Sequence, residues 1–498
     1  MSSLKMVSGW RRWVLLGICA GIGLGGFLLA SQLTLHLGFP LDDSWIHQTY
    51  ARNLAQSGEW AFNPGIPSAG STSPLWSVLL AIGYLADLAP TLWTFLLGWV
   101  SLTGLAWVGE LFGRSLYPKN TYSSFPWIGI FLAGEWHLVW AAGSGMETVL
   151  FALVILWLFW WISRFPRATF WAGLICGLCV WLRPDGLTLA GPIGFVVVLS
   201  TPDWKTRGKG LLLALGGILI GVLPYLLFNQ ALGGNWWPNT LFAKQAEYAI
   251  RLNEPYLLRF GRLISLPLIG AGIALVPGFL ACVWTGWTRK QWVVLAAVLW
   301  WLGYTAIYAA VLPVDYQHGR YLMPAMPVYF GLGAAGTLEL LRRMNSSKRQ
   351  RLLRSAWGLV LGITWILFYG QGAAAYATDV AIIETEMVAT GQWIAHAIEP
   401  NALIAVHDIG AIGYFGKHRI VDLAGLISPE VIPFIRDETM LSSYLDQQKV
   451  AYLVTFPGWY PILVQQAEPI FETQGKFSKV EGGENMTVYR WVGNLKEK

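Results

Sequence analysis

Charge is scarce in this sequence. Asp, Glu, Lys and Arg make up 12% of its 498 residues, 55% are hydrophobic, and the mean hydropathy is +0.49. A soluble domain carries about a quarter charged residues, so the depletion excludes that class and points to a polytopic membrane protein. Cysteine is scarce as well. All four, Cys19, Cys176, Cys179 and Cys282, fall in apolar runs, which excludes a disulfide framework or a zinc site and leaves Cys176 and Cys179 a CxxC by spacing only. There is no Walker loop, no GxGxxG after a strand, no HExxH and no Ser-His-Asp signature. The net charge of +6 comes from loop Lys and Arg, which report orientation in a membrane and not a nucleic-acid partner. The apolar run from Arg12 to about His36 has no clear cleavage site and exceeds the roughly 7–15 residues of a signal-peptide core, so the first span is expected to be retained.

Apolar stretches lie near residues 13–35, 74–87, 92–113, 124–142, 147–163, 168–182, 186–201, 208–229, 263–287, 291–312, 322–341 and 354–372. Every second connection is basic: Lys5 to Arg12, Arg114 and Lys119, Arg164 and Arg167, Lys205 to Lys209, Arg289 and Lys290, and Arg342 to Arg354. The stretch 74–87, between Pro74 and Pro90, is shorter than the roughly 20 residues of a helical crossing. If it dips in and returns, about eleven spans satisfy every basic loop. The expected architecture is a transmembrane domain over 1–372, with a first external loop at 36–73, and an extracytoplasmic α/β domain over 373–498.

The first polar stretch opens with paired carboxylates, Asp42 and Asp43, where a span meets water, a costly placement without a purpose. Trp45, Ile46, Thr49, Tyr50 and Leu54 then recur at helical spacing opposite His47, Gln48, Arg52 and Gln56, and Gly58 can cap the C-terminus. This spacing predicts a short amphipathic helix lying in the interface. The acids are either an N-terminal cap or an ionised pair able to act as base or metal ligand. With this topology Asp42, Asp43, Glu147, Arg183, Asp185, Lys244, His318 and Arg320 share one face with the C-terminal domain, which implies a site at the outer leaflet. Each also has a structural alternative: Glu147 as a helix N-terminal acid, Arg183 and Lys244 as snorkelling side chains, Pro184-Asp-Gly186 as a plain turn.

Beyond residue 373 charge returns. Strands are predicted at Leu403–Val406, Ile420–Leu423, Ala451–Phe456 and Thr487–Trp491, alternating with helices near Ile382–Ile398 and Glu438–Gln448. The pattern reads as a small α/β domain. His407-Asp-Ile-Gly410 follows the first strand, where α/β domains bind ligands, or is a mere turn.

Several of these segments carry a family resemblance: Asp42-Asp-Ser-Trp-Ile46, Tyr50-Ala-Arg-Asn-Leu54, Asn63-Pro-Gly65, Gly70-Ser-Thr-Ser-Pro-Leu-Trp76, Gly145-Met-Glu-Thr148, Arg183-Pro-Asp-Gly186, Pro238-Asn-Thr240 with Lys244, Gly319-Arg-Tyr-Leu-Met-Pro324, and His407-Asp-Ile-Gly410 with Asp422-Leu-Ala-Gly-Leu426. On them the chain resembles the GT-C superfamily of polyprenyl-phosphate-sugar-dependent glycosyltransferases, and among these the bacterial cell-wall arabinofuranosyltransferases. The resemblance implies a multi-pass enzyme of the plasma membrane. It would move a sugar, arabinofuranose in the nearest case, from a polyprenyl-phosphate donor to a hydroxyl of an extracytoplasmic glycan, lipid or protein.

Such a reaction needs a base for the acceptor hydroxyl and cations for the departing phosphate. The resemblance assigns Asp42 as base, with Asp43 orienting the acceptor or holding a divalent metal, the only cofactor it suggests; the reverse order stays open. Arg320, His318, Lys244 and Arg183 are then the phosphate-binding set. Tyr50, Trp76, Glu147, Asp185, Asn239, Tyr321, His407, Asp408 and Asp422 are the substrate contacts. Two other classes remain: a transporter, which would place polar residues near mid-span and show internal repeats, and a non-catalytic polysaccharide-binding membrane protein, which would not need paired acids at a membrane edge.

Overall fold

Inside a bilayer each backbone N–H and C=O must find its partner within the protein, and an uninterrupted apolar run meets that demand as a helix. The computed structural model describes residues 2–117, 125–344 and 347–493, with side chains from residue 9 onward. Lys119 and the side chain of Lys5, expected on basic loops, lie outside the described residues. The first half comprises α1 (Ser2–Thr34), α2 (Asp43–Ser57), α3 (Pro74–Leu85), α4 (Pro90–Leu116), α5 (Trp127–Gly134), α6 (Trp136–Gly143), α7 (Thr148–Arg164), α8 (Thr169–Cys179), α9 (Ala190–Ser200) and α10 (Trp204–Gly233). There follow α11 (Asn239–Glu247), α12 (Tyr256–Ser265), α13 (Val276–Thr288), α14 (Trp292–Val311), the short α15 (Tyr316–Gly319), α16 (Met326–Arg343) and α17 (Lys348–Ile383). Six helices among the described residues are long and apolar enough to cross a membrane: Gly9–Thr34, Pro90–Leu116, Trp204–Gly233, Ala271–Thr288, Trp292–Val311 and Lys348–Ala397. At 12 residues α3 is about 18 Å long, short of the roughly 30 Å hydrocarbon core.

Three departures from the expected elements bear on the site. The stretch 124–142 is split into α5 and α6, because Glu135 adopts an extended backbone and its side chain caps α6 through His137 N and Leu138 N. The last apolar helix does not stop near 372. It runs from Lys348 through one π-turn (Glu384–Val388) into α18 (Ala389–Ala397), so the expected domain boundary at 373 falls inside a continuous helix. And α2 is not half-exposed, as its amphipathic pattern led one to expect: Trp45, Ile46, His47, Gln48, Thr49, Tyr50 and Ala51 are all buried within the protein. Its polar face is satisfied inside the protein, Gln48 donating to Thr94 (2.8 Å) and accepting from Tyr84 (2.8 Å). Gly58 ends α2 as expected, at φ 72°, its N–H bonded to Leu54 O.

The C-terminal region forms a five-stranded sheet in the order β2-β1-β3-β5-β4. Strand β1 (Leu403–Val406) runs parallel to β2 (Arg419–Asp422) and β3 (Tyr452–Thr455), and β5 (Thr487–Trp491) antiparallel to β3 and β4 (Ala467–Glu472). Its helices are α19 (Ile409–Gly416), α20 (Glu438–Gln448) and α21 (Phe477–Val480). Alternation sorts the strands by face. Ala405, Val421 and Leu453 pack with Leu441 and Leu445 of α20. Ile404, Val406 and Val454 pack on the other face with Ile409 and Ile412 of α19 and, in the same core, with Phe39, Trp45, Ile46, Tyr50 and Phe62 of the first loop. Loop and sheet therefore share one hydrophobic core. Strand β4 was not anticipated, since Pro469 and its mostly exposed residues do not alternate; it is an edge strand with a bulge between Pro469 and Phe471.

Candidate active site

Asp43 begins α2 and Arg320 follows α15, and the two meet with Arg320 Nη1 at 2.6 Å from Asp43 Oδ2. Lys244 of α11 approaches the other oxygen, Oδ1, at 3.8 Å. Burial pushes the Asp43 carboxyl up, but Arg320 and Lys244 outweigh it and hold it below the usual carboxylate range. The cations are correspondingly raised by Asp43 against their own burial. Arg320 is 7% exposed, donates from Nη2 to Tyr321 Oη (3.1 Å), and has a buried Nε with no hydrogen-bond partner among the described residues.

Asp42 is placed differently. It does not cap α2: no side-chain bond to that helix forms. Its Oδ2 accepts from Gly410 N at 2.7 Å and its Oδ1 from Ala411 N at 2.8 Å, so it caps α19 of the sheet domain. Burial and the neighbouring Asp408 push its carboxyl above the ordinary range, and the two N–H donors pull it back.

Two cavities meet at Asp43, Lys244 and Arg320. The larger, about 730 Å³, lies between the bundle and the sheet domain and is walled by Asp42, Glu247, His407, Asp408 and Trp459. The smaller, about 130 Å³, enters the bundle and is walled by Glu147, Arg183, Asp185 and Tyr321. Arg183 is committed within the protein, to Glu147 (3.2 Å), Asp185 (3.2 Å) and Tyr308 (3.0 Å), and Asp185 also accepts from Tyr304. In the larger cavity His407 is fixed by Tyr460 Oη at 2.7 Å and Glu247 at 3.5 Å. Although burial opposes it, the contact with Glu247 raises the His407 pKa. Burial brings Asp408 to about 6.

The remaining expected residues line neither cavity. Tyr50 is fully buried and its hydroxyl is used by Ser68 (2.6 Å) and Gly70 N (3.0 Å). Trp76 donates to Gly145 O at 2.9 Å from a buried position. Asn239 is buried beside Asn235. Asp422 accepts from Ala424 N and Ile427 N, both at 2.8 Å, and closes a turn after β2. Tyr50, Trp76 and Asp422 thus hold loop backbone, and Asn239 accepts from the Asn235 side chain. His318 is also turned away: its Nε2 meets Asp379 Oδ2 at 2.8 Å, and its ring sits edge-on to Trp136 and Trp140, while Trp140 donates to the same Asp379 oxygen. Both Asp43 oxygens face cations and both Asp42 oxygens face backbone donors, so the acids as arranged do not fit a divalent metal.

Sequence reasoning missed Glu247, Asp379 and Trp459. Glu247 and Asp379 sit on helices of mixed or apolar pattern, and Trp459 was one Trp among 29.

A family described as a domain of unknown function, DUF8728, matches residues 371–489. No curated protein matches the sequence. Solved structures do share its architecture. ArnT from Cupriavidus metallidurans bound to undecaprenyl phosphate is 14% identical and superposes over 97% of this chain and 98% of its own, with a TM-score of 0.58. The Archaeoglobus fulgidus oligosaccharyltransferase tethered to an acceptor peptide with the NVT sequon is 10% identical, covers 98% of this chain and 74% of its own, and gives a TM-score of 0.61. Arabinofuranosyltransferase AftD from mycobacteria is 15% identical, with a TM-score of 0.52, over 97% of this chain and 42% of AftD. The chain shares its fold with these three proteins.

Proposed function

We propose that this protein is a membrane glycosyltransferase that moves a sugar from a polyprenyl-phosphate donor to an acceptor hydroxyl. The observation that carries it is the Asp43–Arg320–Lys244 group at the junction of two cavities. An acid beside two cations is the minimum for this chemistry: a base for one substrate and countercharge for the phosphate of the other. The Nε of Arg320, buried and without a hydrogen-bond partner among the described residues, leaves a donor for a phosphate oxygen beyond the Asp43 contact. Of the two acids we assign the base to Asp43, in place of the expected Asp42, whose oxygens are both taken by backbone N–H groups.

The step balances on these groups. Without donor, Arg320 and Lys244 neutralise Asp43. A donor phosphate competes for the same cations, and as they turn to it Asp43 loses the charge that depressed its basicity. Asp43 then takes the acceptor O–H proton, the acceptor oxygen bonds to the anomeric carbon, and the bond from that carbon to the phosphate breaks. The electron pair leaves on the polyprenyl phosphate, whose charge Arg320 and Lys244 hold. We assign the larger cavity, walled in part by the sheet domain, to the acceptor, and the smaller one within the bundle to the donor sugar.

Orientation follows from charge. Arg12 and Arg114 lie near one another at one end of the bundle, and Gln291 beside Lys290 bonds to Leu116 O at 3.0 Å there. Asp43, Lys244 and Arg320 lie at the other end, beyond Thr34 of α1. Basic ends face the cytoplasm, so the site faces outward, where a lipid-borne donor is available and a soluble nucleotide sugar is not. Arabinofuranose is the proposed sugar, on the motif resemblance and the likeness to AftD. The test is turnover by purified protein in liposomes given polyprenyl-phosphate pentoses and hexoses beside the matching nucleotide sugars. Transfer from the lipid-linked donors is expected, and activity with nucleotide sugars alone overturns the reading.

A further inference from the structure

Asp42 and Asp43 are consecutive, yet the protein uses them in different directions. Both oxygens of Asp42 are engaged by the first turn of α19, on Gly410 N and Ala411 N. The backbones are as close as the side chain: a Cβ on Gly410 would stand 2.0 Å from the carbonyl oxygen of Asp42, so only glycine fits there. The joint extends along α2. Asn63 exchanges two hydrogen bonds with the backbone of Ile420, each at 2.9 Å. Arg52 donates to Tyr414 O at 2.8 Å, and Trp45 packs on the rings of Tyr414 and Phe415 at 4.8 and 4.7 Å. Asp42 is the end of this joint that touches the site, since the next residue is the acid paired with Arg320.

We infer that Asp42 is a positioning residue: by fastening the N-terminus of α19 to the first turn of α2, it lets the sheet domain set where the Asp43 carboxylate sits against Arg320 and Lys244. A carboxylate suits this work because its two oxygens accept two adjacent backbone N–H groups at once, at the end of a helix whose dipole favours negative charge. An amide in its place offers one acceptor and turns a donor toward the second N–H. The sheet domain is thereby part of the catalytic apparatus even where it touches no substrate. The inference rests on the proposed function for its kinetic arm alone.

Two variants break the joint from opposite sides. Asp42→Asn removes one acceptor, and Ala411→Pro removes one N–H at the third residue of α19, a position where a helix tolerates proline. Each is expected to lower kcat by about tenfold to a hundredfold, the cost of misplacing a catalytic group by an ångström or so, with the donor KM within about twofold of wild type. The double variant should be no worse than the more impaired single one, because both cut the same contact. Backbone amide exchange gives a readout independent of turnover: Gly410 and Ala411 should be protected in the full-length protein and lose protection in Asp42→Asn. If Asp42→Asn is inactive while Ala411→Pro turns over at the wild-type rate, Asp42 acts on substrate and the inference falls. Unchanged amide protection in Asp42→Asn overturns it equally. Should Asp42→Asn fail to fold, Ala411→Pro decides by the same kinetics and exchange. If the wild-type protein transfers no lipid-linked sugar, the proposed function fails while amide exchange still decides the joint.

Discussion

Arg320 reaches Asp43 at 2.6 Å out of a backbone that is bent the unusual way: Gln317, His318 and Gly319, immediately before it, all have positive φ, at 50°, 59° and 71°. Two of the three are not glycine, and each such residue costs roughly 1–3 kcal/mol, so surrounding contacts must hold the turn in place. The hold is on His318, whose ring lies against Trp136 and Trp140 and whose Nε2 meets Asp379. His318, expected to bind phosphate, thus serves the residue two positions on.

Removing that hold should be felt at Arg320. Asp379→Ala leaves both His318 Nε2 and Trp140 Nε1 without their partner, a loss of about 1–3 kcal/mol, and frees the turn to relax. The expected outcome is a lower melting temperature together with a raised KM for the lipid-linked donor. A variant with normal melting and normal donor KM would show that the turn holds itself.

Asp43→Asn should lower kcat by about a hundredfold to ten-thousandfold, the range of a lost general base. It should also bind polyprenyl phosphate more tightly than wild type, since Arg320 and Lys244 no longer have a carboxylate to neutralise. Titration of the purified variant with polyprenyl phosphate checks the second half. Weaker binding would mean that Asp43 organises the cations more than it competes for them.

Arg320→Ala should weaken donor binding by about 1.5–3 kcal/mol, the value of a charge-assisted contact, and change acceptor KM little. Lysine should restore part of this, having charge without the planar fork. Equal losses for donor and acceptor would remove Arg320 from the phosphate.

The contact between His407 and Glu247 ties the sheet domain to α11 and depends on pH. Glu247 raises the His407 pKa despite burial. A raised histidine contributes stability fully below its unfolded value of about 6.5, and the contribution is lost as pH climbs through the folded value. Wild-type thermal stability should therefore exceed that of Glu247→Gln at low pH and approach it as pH rises through neutrality. A difference that stays constant across that window would deny the contact its protonated form.

Labelling settles the orientation. Ser442 is buried and unsuitable, but its neighbour Ser443 is exposed, as is Ser57 at the end of α2. Cysteines placed at Ser57 and Ser443 should both react with an impermeant reagent from outside the cell, and one at Ser347 only after permeabilisation. The native background is low, because Cys176, Cys179 and Cys282 are buried. Protection of Ser443 in intact cells would reverse the topology.

What could be read from the sequence was what neighbours in the chain decide. The strands at Leu403–Val406 and Thr487–Trp491, the helix at Glu438–Gln448 and the cap at Gly58 rest on local periodicity and local turn chemistry, and they formed as expected. The acids, Lys244 and Arg320 were legible because charge at a membrane edge is costly wherever it occurs. The partners of those charges were not. Asp42 finds its donors 368 positions away, on a helix so rich in glycine (Ile409-Gly-Ala-Ile-Gly-Tyr-Phe-Gly416) that propensity argues against it. The amphipathic pattern of α2 was real, but His47 and Gln48 of its polar side face Ser77, Thr94 and Tyr84 of α3 and α4, while Gln56 stays exposed. Long-range pairing of this kind leaves no period to detect.

The close approach of Gly410 to Asp42 also constrains descent. The domain family matched at residues 371–489 includes Gly410 but not Asp42, so the two halves of one contact lie on opposite sides of a boundary drawn from sequence. A side chain at 410 is excluded only while α2 is docked, and an acid at 42 is useful only while α19 offers its amides. Among related chains the two positions should therefore vary together or not at all, and a recombinant that joins this C-terminal region to a bundle without the acid should carry a glycine that has lost its reason.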